Sequence, residues 1–428
     1  MPTVSPFRAL RYAPGLRAGL GRLIAPPYDV ISPEQREALA ARHACNIVHV
    51  DLPRGGDGEA PHLAAGRLLR EWRRCGVLAR DAGAALYLCE QRFRAPDGAE
   101  RVRRGFFGRL RLEDYASRVV IPHERTLDTP RADRQGLLAA TRTHVSAVFL
   151  LHADPGGEIA SRVAAACGRS DGDEARDGEE TSVRLVPLPE GEECDRLLGL
   201  LRGQWAVIAD GHHRYESALA YRDERRAAGE PDAENVLAYL CSLEDPGLSI
   251  FPIHRLVRSL DGFDAARLRE RLSSEFTLSP AADEGGLRAA MSRQSGRPGV
   301  FGLEFGGAGG LWVAAWRPGA GLDRPGFQAI PEALRSLDVV LLHRLVLEEA
   351  LGIDSVAQAR QTRLEYLKDD RQVHEHVRRG GAALGILLNP TRIDQVVEVT
   401  RQGLRLPQKS TYFYPKVPTG LVLDPLDD

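Results

Sequence analysis

The apolar run Trp205-Ala206-Val207-Ile208-Ala209 ends on Asp210-Gly211-His212-His213-Arg214, and a helix-like pattern continues from Tyr215 to Arg226. A strand, a tight turn and a helix start in that order aim backbone N–H groups at an anion. Gly211 lets the backbone turn and come close to a ligand. His212, His213 and Arg214 add donors beside those amides, and an arginine can grip two phosphate oxygens at once. Asp210 could hold Mg²⁺, a substrate amine or an imidazole; the plainer alternative is that it caps the helix and the histidines lie on the surface. A zinc site is disfavoured, because adjacent helical residues point apart.

Three further stretches carry polar groups that could do chemistry. In Leu406–Val422, Lys409-Ser410-Thr411 resembles the end of a P-loop, but Gln408 stands where that loop has glycine. Lys409, Lys416, Ser410, Thr411 and the aromatics Tyr412, Phe413 and Tyr414 suit a segment that reaches over an anion. The alternative is a tail docked by its aromatics. In Val120–Leu138, His123, Glu124, Arg125, Asp133 and Arg134 crowd what reads as a loop before a helix. Glu124 could act as a general base; the alternative is a solvated loop of surface ion pairs. In Ala25–Ser32, a Pro26-Pro27 turn leads to Tyr28 and Asp29, which could line a cleft or simply enter a helix cap. If the four stretches converge, Glu124 and Tyr28 share a cleft with His213. The stretch Leu406–Lys416, stiffened by prolines, then folds over it with Lys409 or Lys416 facing the anion, and deletion of Leu406–Asp428 leaves a folded protein that has lost most phosphate-dependent affinity.

These residues need a scaffold of alternating strands and helices. The 428 residues, 43% hydrophobic and 27% charged, suit two or three soluble domains. The pattern predicts a helix over Pro33–Arg42 behind a Ser32 cap, a strand at Asn46–Pro53, and a hairpin at Ala85–Arg94 and Arg101–Leu112. A solvated loop is expected at Gly168–Thr181. From about Ser259 the alternation restarts, which sets domains at 1–258 and 259–428 and a mixed α+β fold. A net charge of −2 gives no general attraction to nucleic acid. Six scattered cysteines without a C-x-x-C pair fit neither a zinc finger nor a disulfide scaffold, and no signal or spanning segment is read. A cytoplasmic protein is expected, with a homo-oligomer left open.

Four stretches in order, "PPYDVIS", "PHERT", "ADGHHRYESAL" and "LPQKSTYFYPK", resemble the prokaryotic domain-of-unknown-function family 1015 over nearly the whole chain. More distantly, "DGHHR" between strand and helix looks like the phosphate-binding motif of the free-serine kinase related to the partition protein ParB. It is similar too to the G-C-H-R turn of sulfiredoxin. That resemblance implies a ParB/sulfiredoxin-like nucleotide-binding core with large insertions, followed by a C-terminal α+β domain. Carried over, it makes Asp210, Gly211, His212, His213 and Arg214 the phosphate and substrate site, beside which the C-terminal stretch would bring Lys409, Ser410, Thr411 and Lys416. His212 stands where sulfiredoxin has its reactive cysteine, so sulfinic-acid repair is not implied. Glu34 lies in a place comparable to the kinase's early catalytic glutamate. The expected function is therefore an ATP- or ADP-dependent kinase with Mg²⁺, without zinc or haem, acting on a small hydroxyl metabolite such as free serine. Asp210 and His213 would act in catalysis with Glu34, Glu124 or Asp29 as base; His123 lines the cleft, and Asp210 is the candidate Mg²⁺ ligand. A nucleotide-responsive regulator is the alternative, and a phosphohydrolase using His212 or His213 a further one.

Overall fold

A computed structural model of the chain describes residues 2–56, 58–95, 98–124, 128–169, 171–176, 181–258, 260 and 262–427. Arg125, read above among the polar residues near Glu124, lies outside them. The fold is α+β, as expected. Contacts divide the chain into Met1–Pro122 with Thr126–Ser249 and Pro415–Asp428, and a second unit of His123–Arg125 with Ile250–Tyr414. The division is thus not two consecutive stretches, because the C-terminal segment belongs to the first unit.

Among the described residues the first unit is built on a nine-stranded mixed sheet. Its order is Val120–Pro122, Ala206–Asp210, Val148–His152, Asn235–Ser242, Glu100–Arg111, Ala85–Arg94, Thr181–Pro189 and Asp173–Arg176, with Val4–Ser5 also paired to Glu100–Arg111. Ala206–Asp210 runs parallel to Val120–Pro122 and antiparallel to Val148–His152. The long hairpin forms as its alternation predicts, with Tyr87 opposite Phe107. Leu86, Leu88, Phe106, Leu150, Ile208 and Leu240 share a core with Val163, Leu197 and Tyr215 from helices Glu158–Arg169, Glu192–Leu200 and His212–Ala227. Full burial of each large apolar side chain contributes about 1.5–3 kcal/mol, which fixes the sheet against these helices.

Helix Pro33–Arg42 starts as expected. The Ser32 hydroxyl accepts the Gln35 N–H at 3.2 Å, and the Gln35 side chain accepts the Ser32 N–H at 2.9 Å. The expected strand at Asn46–Pro53 is instead a helical turn, Val48–Asp51. Buried Asn46 causes this: its amide donates to the Arg22 and Ile24 carbonyls at 2.8 and 3.1 Å, and its oxygen accepts the Val48 N–H at 2.9 Å. A side chain that bonds its own backbone two residues on starts a turn, not a ladder. Within the stretch expected to be a solvated loop, Asp173–Arg176 pairs with Thr181–Pro189 at the sheet edge.

The C-terminal segment is woven into the first unit. Thr419 and Ala25 exchange backbone bonds, Leu423 bonds Leu10, and Asp424–Pro425 pairs with Thr143–His144. Leu421, Val422 and Leu423 are buried, and buried Asp424 accepts from Arg109 at 2.9 and 3.1 Å. A segment that buries this much apolar surface is core, so the expectation that it can be removed without unfolding the protein is corrected.

The second unit has an antiparallel six-stranded sheet among the described residues: Phe276–Ala281, Gly310–Trp316, Val300–Phe305, Leu384–Leu388, His254–Val257 and Leu364–Leu367. Leu256, Val300, Val313 and Leu387 pack with Leu287 and Met291 of helix Glu284–Ser292 and Val373 of helix Asp370–Arg378. The apolar stretch Asp338–Ala350 is α-helical only over Asp338–Leu341 and continues as a π-helix over Leu342–Ala350.

Candidate functional site

The strand Ala206–Asp210 is buried through Ala209, so its end delivers Asp210 to a fixed place. Gly211 then takes φ +87°, a left-handed conformation that favours glycine. A Cβ there would stand 2.8–2.9 Å from the Arg214 guanidinium. Glycine is therefore required twice, for the turn and for the close approach of Arg214. The N-cap position of helix His212–Ala227 is Gly211, which has no side chain to cap it.

Asp210 instead forms an ion pair with Arg214 at 2.6 Å, four residues on, and a second one with Lys416. Burial alone would raise the Asp210 carboxyl, but Lys416 and Arg214 hold it well below the usual range. A carboxylate already shared by two cations does not fit a Mg²⁺ ligand, because the ion would have to displace both. The expectation of Asp210 as a metal ligand is corrected on that ground. Among the described residues no group of three or more His, Cys, Asp or Glu is placed to hold a metal.

Arg214 differs from expectation too. One terminal nitrogen goes to Asp210, and the other donates to the Ser146 hydroxyl at 3.1 Å and to the Ala147 carbonyl. Its fork is spent on the protein rather than open to two phosphate oxygens. Its Nε is buried and has no hydrogen-bond partner among the described residues. An orphaned charged donor of this kind costs free energy until an acceptor arrives.

Tyr28 and Asp29 occupy a short 3₁₀ turn, Tyr28–Val30, after Pro27. Arg214 interacts electrostatically with Asp210, then Asp29, Tyr28 and Asp51, so the PPYD turn and the DGHHR turn are electrostatic neighbours. Arg134 lies over the Tyr28 ring at 4.2 Å and bonds the Asp51 carbonyl and carboxylate at 2.8 and 3.1 Å. Burial pushes the Asp51 carboxyl up, against the pull of Arg134 and Arg214. A cavity of about 40 Å³, lined by Asp51, Arg134, His144, Ser146, Arg214 and Ser217 among others, joins these groups. Asp29 is exposed and has no recorded hydrogen bond or ion pair among the described residues. Glu34 is exposed at its helix start and accepts the Ser32 hydroxyl at 2.7 Å, which lowers its pKa.

Sequence reading missed Asp51, Ser146 and the pairing role of Arg134. Asp51 lay in a stretch read as a strand, and Ser146 carries no local signal. The i,i+4 spacing of Asp210 and Arg214 is the local signal that could have found their ion pair.

The remaining expected residues form a second cluster, in the second unit. His123 Nε2 is 2.7 Å from the Thr411 hydroxyl, the Glu124 carboxylate accepts the Lys409 N–H at 2.9 Å, and the Ser410 hydroxyl donates to the Pro407 carbonyl at 2.5 Å. Glu124 thus serves as an acceptor for backbone. Phe413 is fully buried and meets the His123 ring edge-on at 5.7 Å.

Strand, left-handed glycine and helix start, closed by an Asp–Arg–Lys ion-pair cluster, mark this turn in an α+β protein. The chain belongs to the family described as Protein of unknown function (DUF1015), whose profile matches residues 4–340. No curated protein matches. Among solved structures, it is similar to a conserved hypothetical protein from Pyrococcus furiosus at 15% identity, covering 72% of this chain and 93% of that one, with a TM-score of 0.36. A variant of free serine kinase in complex with AMP is similar at 12% identity, covering 71% and 89%, with a TM-score of 0.35. SbnI with a C-terminal truncation from Staphylococcus aureus is similar at 11% identity, covering 72% and 87%, with a TM-score of 0.35. Among the described residues no helix is long and apolar enough to cross a membrane.

Proposed function

We propose that the first unit takes a phosphate group of a nucleotide, ATP or ADP, at the start of helix His212–Ala227, and that the protein is a phosphotransferase acting on a small hydroxyl metabolite. The observation that carries this reading is the buried Nε of Arg214, which has no hydrogen-bond partner among the described residues, beside the left-handed glycine that begins the helix. A phosphate oxygen is the acceptor that such a donor lacks. First-turn N–H groups and the positive end of the helix dipole favour the same charge. Lys416 and Arg214 against Asp210 leave the turn itself with one more positive than negative permanent charge.

Phosphoryl transfer asks a protein mainly for positioning and charge neutralisation. In this reading His212 and His213 flank the phosphate, and Asp210 holds Arg214 and Lys416 in place. The substrate hydroxyl oxygen bonds to the terminal phosphorus as the bond from phosphorus to the nucleotide oxygen breaks. Asp29 takes the hydroxyl proton, because it is the carboxylate beside the Arg214 turn with no recorded partner, whereas Glu34 and Glu124 serve hydroxyl and backbone donors. Mg²⁺ would supply charge neutralisation on the phosphates when bound, though not through Asp210 as it is paired.

The test is incubation of the pure protein with terminally labelled ATP, or ADP, and a pool of hydroxylated metabolites that includes serine. Label on a small molecule supports the transferase. Label released only as phosphate supports hydrolysis through a histidine. Binding without turnover supports a nucleotide-responsive regulator, and no binding refutes the site.

A further inference from the structure

Lys409 is a non-glycine residue with φ +57°, a backbone state that lysine adopts at a cost of order 1–3 kcal/mol. The second unit enforces it from both sides. The Glu124 carboxylate accepts the Lys409 N–H at 2.9 Å, and Arg255 donates to the Lys409 carbonyl at 3.0 Å. Neighbouring residues are held as tightly. Leu406 donates to the His123 carbonyl at 2.8 Å, Thr391 to the Ser410 carbonyl at 2.7 Å, and Thr411 meets His123 at 2.7 Å.

Arg255 is itself an expensive residue. It is fully buried, stacks on Tyr366 at 4.6 Å, and leaves its Nε without a hydrogen-bond partner among the described residues. The carboxylate that acts on it electrostatically is Glu124, and the Lys409 peptide groups stand between the two as acceptor and donor. A second terminal contact of Arg255 is His343, at 3.5 Å, from the π-helix Leu342–Ala350. Burial, then Arg255 and Arg344, depress the His343 imidazole to about 3, so it faces the guanidinium as a neutral ring. π-Helices, buried arginines without a contacting carboxylate and left-handed lysines are each uncommon, and here Arg255 links them, touching the π-helix at His343 and the Lys409 carbonyl. What that residue presents is an exposed side chain whose ammonium has no recorded hydrogen bond or ion pair among the described residues.

We infer that Lys409 is a ligand-binding residue of the second unit that takes a phosphate or other anionic group, and that Glu124 and Arg255 are positioning residues that aim it. Glycine would sit in this backbone state without strain, so lysine is held there at a cost in stability while Glu124 and Arg255 fix its backbone. Glu124 then works as an acceptor and not as a base. The inference rests on the phosphate-binding reading only in its choice of probe.

The test measures ADP and pyrophosphate affinity by calorimetry, together with urea denaturation, in the full chain and its variants. Lys409→Gly is expected to raise stability and weaken binding about tenfold. Glu124→Gln, whose amide oxygen still accepts the Lys409 N–H, should bind within twofold of the natural protein, whereas Glu124→Ala should lose about fivefold or more. Lys409→Gly with full affinity for both probes overturns the inference, as does a Glu124→Gln variant as weak as Glu124→Ala. Binding that Arg214→Ala removes and Lys409→Gly leaves intact overturns this inference alone. Failure of the natural protein to bind either probe overturns it together with the proposed function.

Discussion

Replacing Gly211 by alanine tests the geometry of the DGHHR turn through stability. At φ +87° an L-residue loses about 1–2 kcal/mol. The added Cβ would also stand 2.8 Å from Arg214 Nε and 2.9 Å from its Cζ. That guanidinium cannot step aside cheaply, because it is bonded to Asp210, Ser146 and Ala147. Moving it costs at least one charge-assisted bond, about 1.5–3 kcal/mol. Against this, alanine narrows the unfolded ensemble and returns about 0.4–1 kcal/mol. The net expectation is a loss of about 3 kcal/mol, measured by urea denaturation with fixed m-values. Gly229→Ala is the control: it has φ +78° in the same unit, but nothing lies within 4 Å of its added Cβ. It should lose only the strain, about 1 kcal/mol after the same offset. Equal losses for the two variants would refute the close packing of Arg214 on Gly211.

Asp338 is buried, accepts the Gly299 N–H at 2.7 Å, and has its carboxyl pushed up to about 6 by burial, against Gly299 and Arg392. A carboxyl raised above its unfolded value binds its proton more tightly when folded. Its contribution to stability is therefore present below about pH 4 and lost as pH rises through about 6. Asp338→Asn should flatten that window and raise stability at pH 7 by up to about 3 kcal/mol in urea titrations; an unchanged pH profile counts against it. Deleting Pro415–Asp428 should abolish the cooperative transition of the first unit by circular dichroism, because the deletion removes Leu421, Val422, Leu423 and Asp424 from its core. A truncated protein with native melting behaviour would restore the picture of a detachable tail.

Local rules made much of the scaffold legible. Alternation gave the hairpin, Ser32-Pro33 gave a helix start, and an apolar run ending in Asp-Gly gave the strand and turn that carry Arg214. What failed was set by partners distant in the chain. "NIVHVD" reads as a strand by its apolar run, yet Asn46 bonds across 22 and 24 residues to the Ile24 and Arg22 carbonyls and turns it into a helix. Arg134 looked like a surface ion-pair former, but it is buried beneath Tyr28 on Asp51, 83 residues away. Lys409 and Lys416 looked like two members of one basic tail. Lys416 is instead locked to Asp210 in the first unit, whereas the Lys409 backbone is clamped in the second. Residue types marked where polar chemistry gathers; which donors remain available depends on tertiary pairing that spacing does not encode.

The central claim is that a nucleotide phosphate binds at the start of helix His212–Ala227. Calorimetric titration with ADP of the natural protein and of Lys416→Met tests it most directly. The substitution keeps the length of the side chain and removes the charge that faces Asp210. With that charge gone the turn loses its excess positive charge and Asp210 is left to Arg214 alone, which should weaken ADP about tenfold, while the fold is retained by circular dichroism. Equal ADP affinity in the two proteins, or no ADP binding by the natural one, would contradict the account.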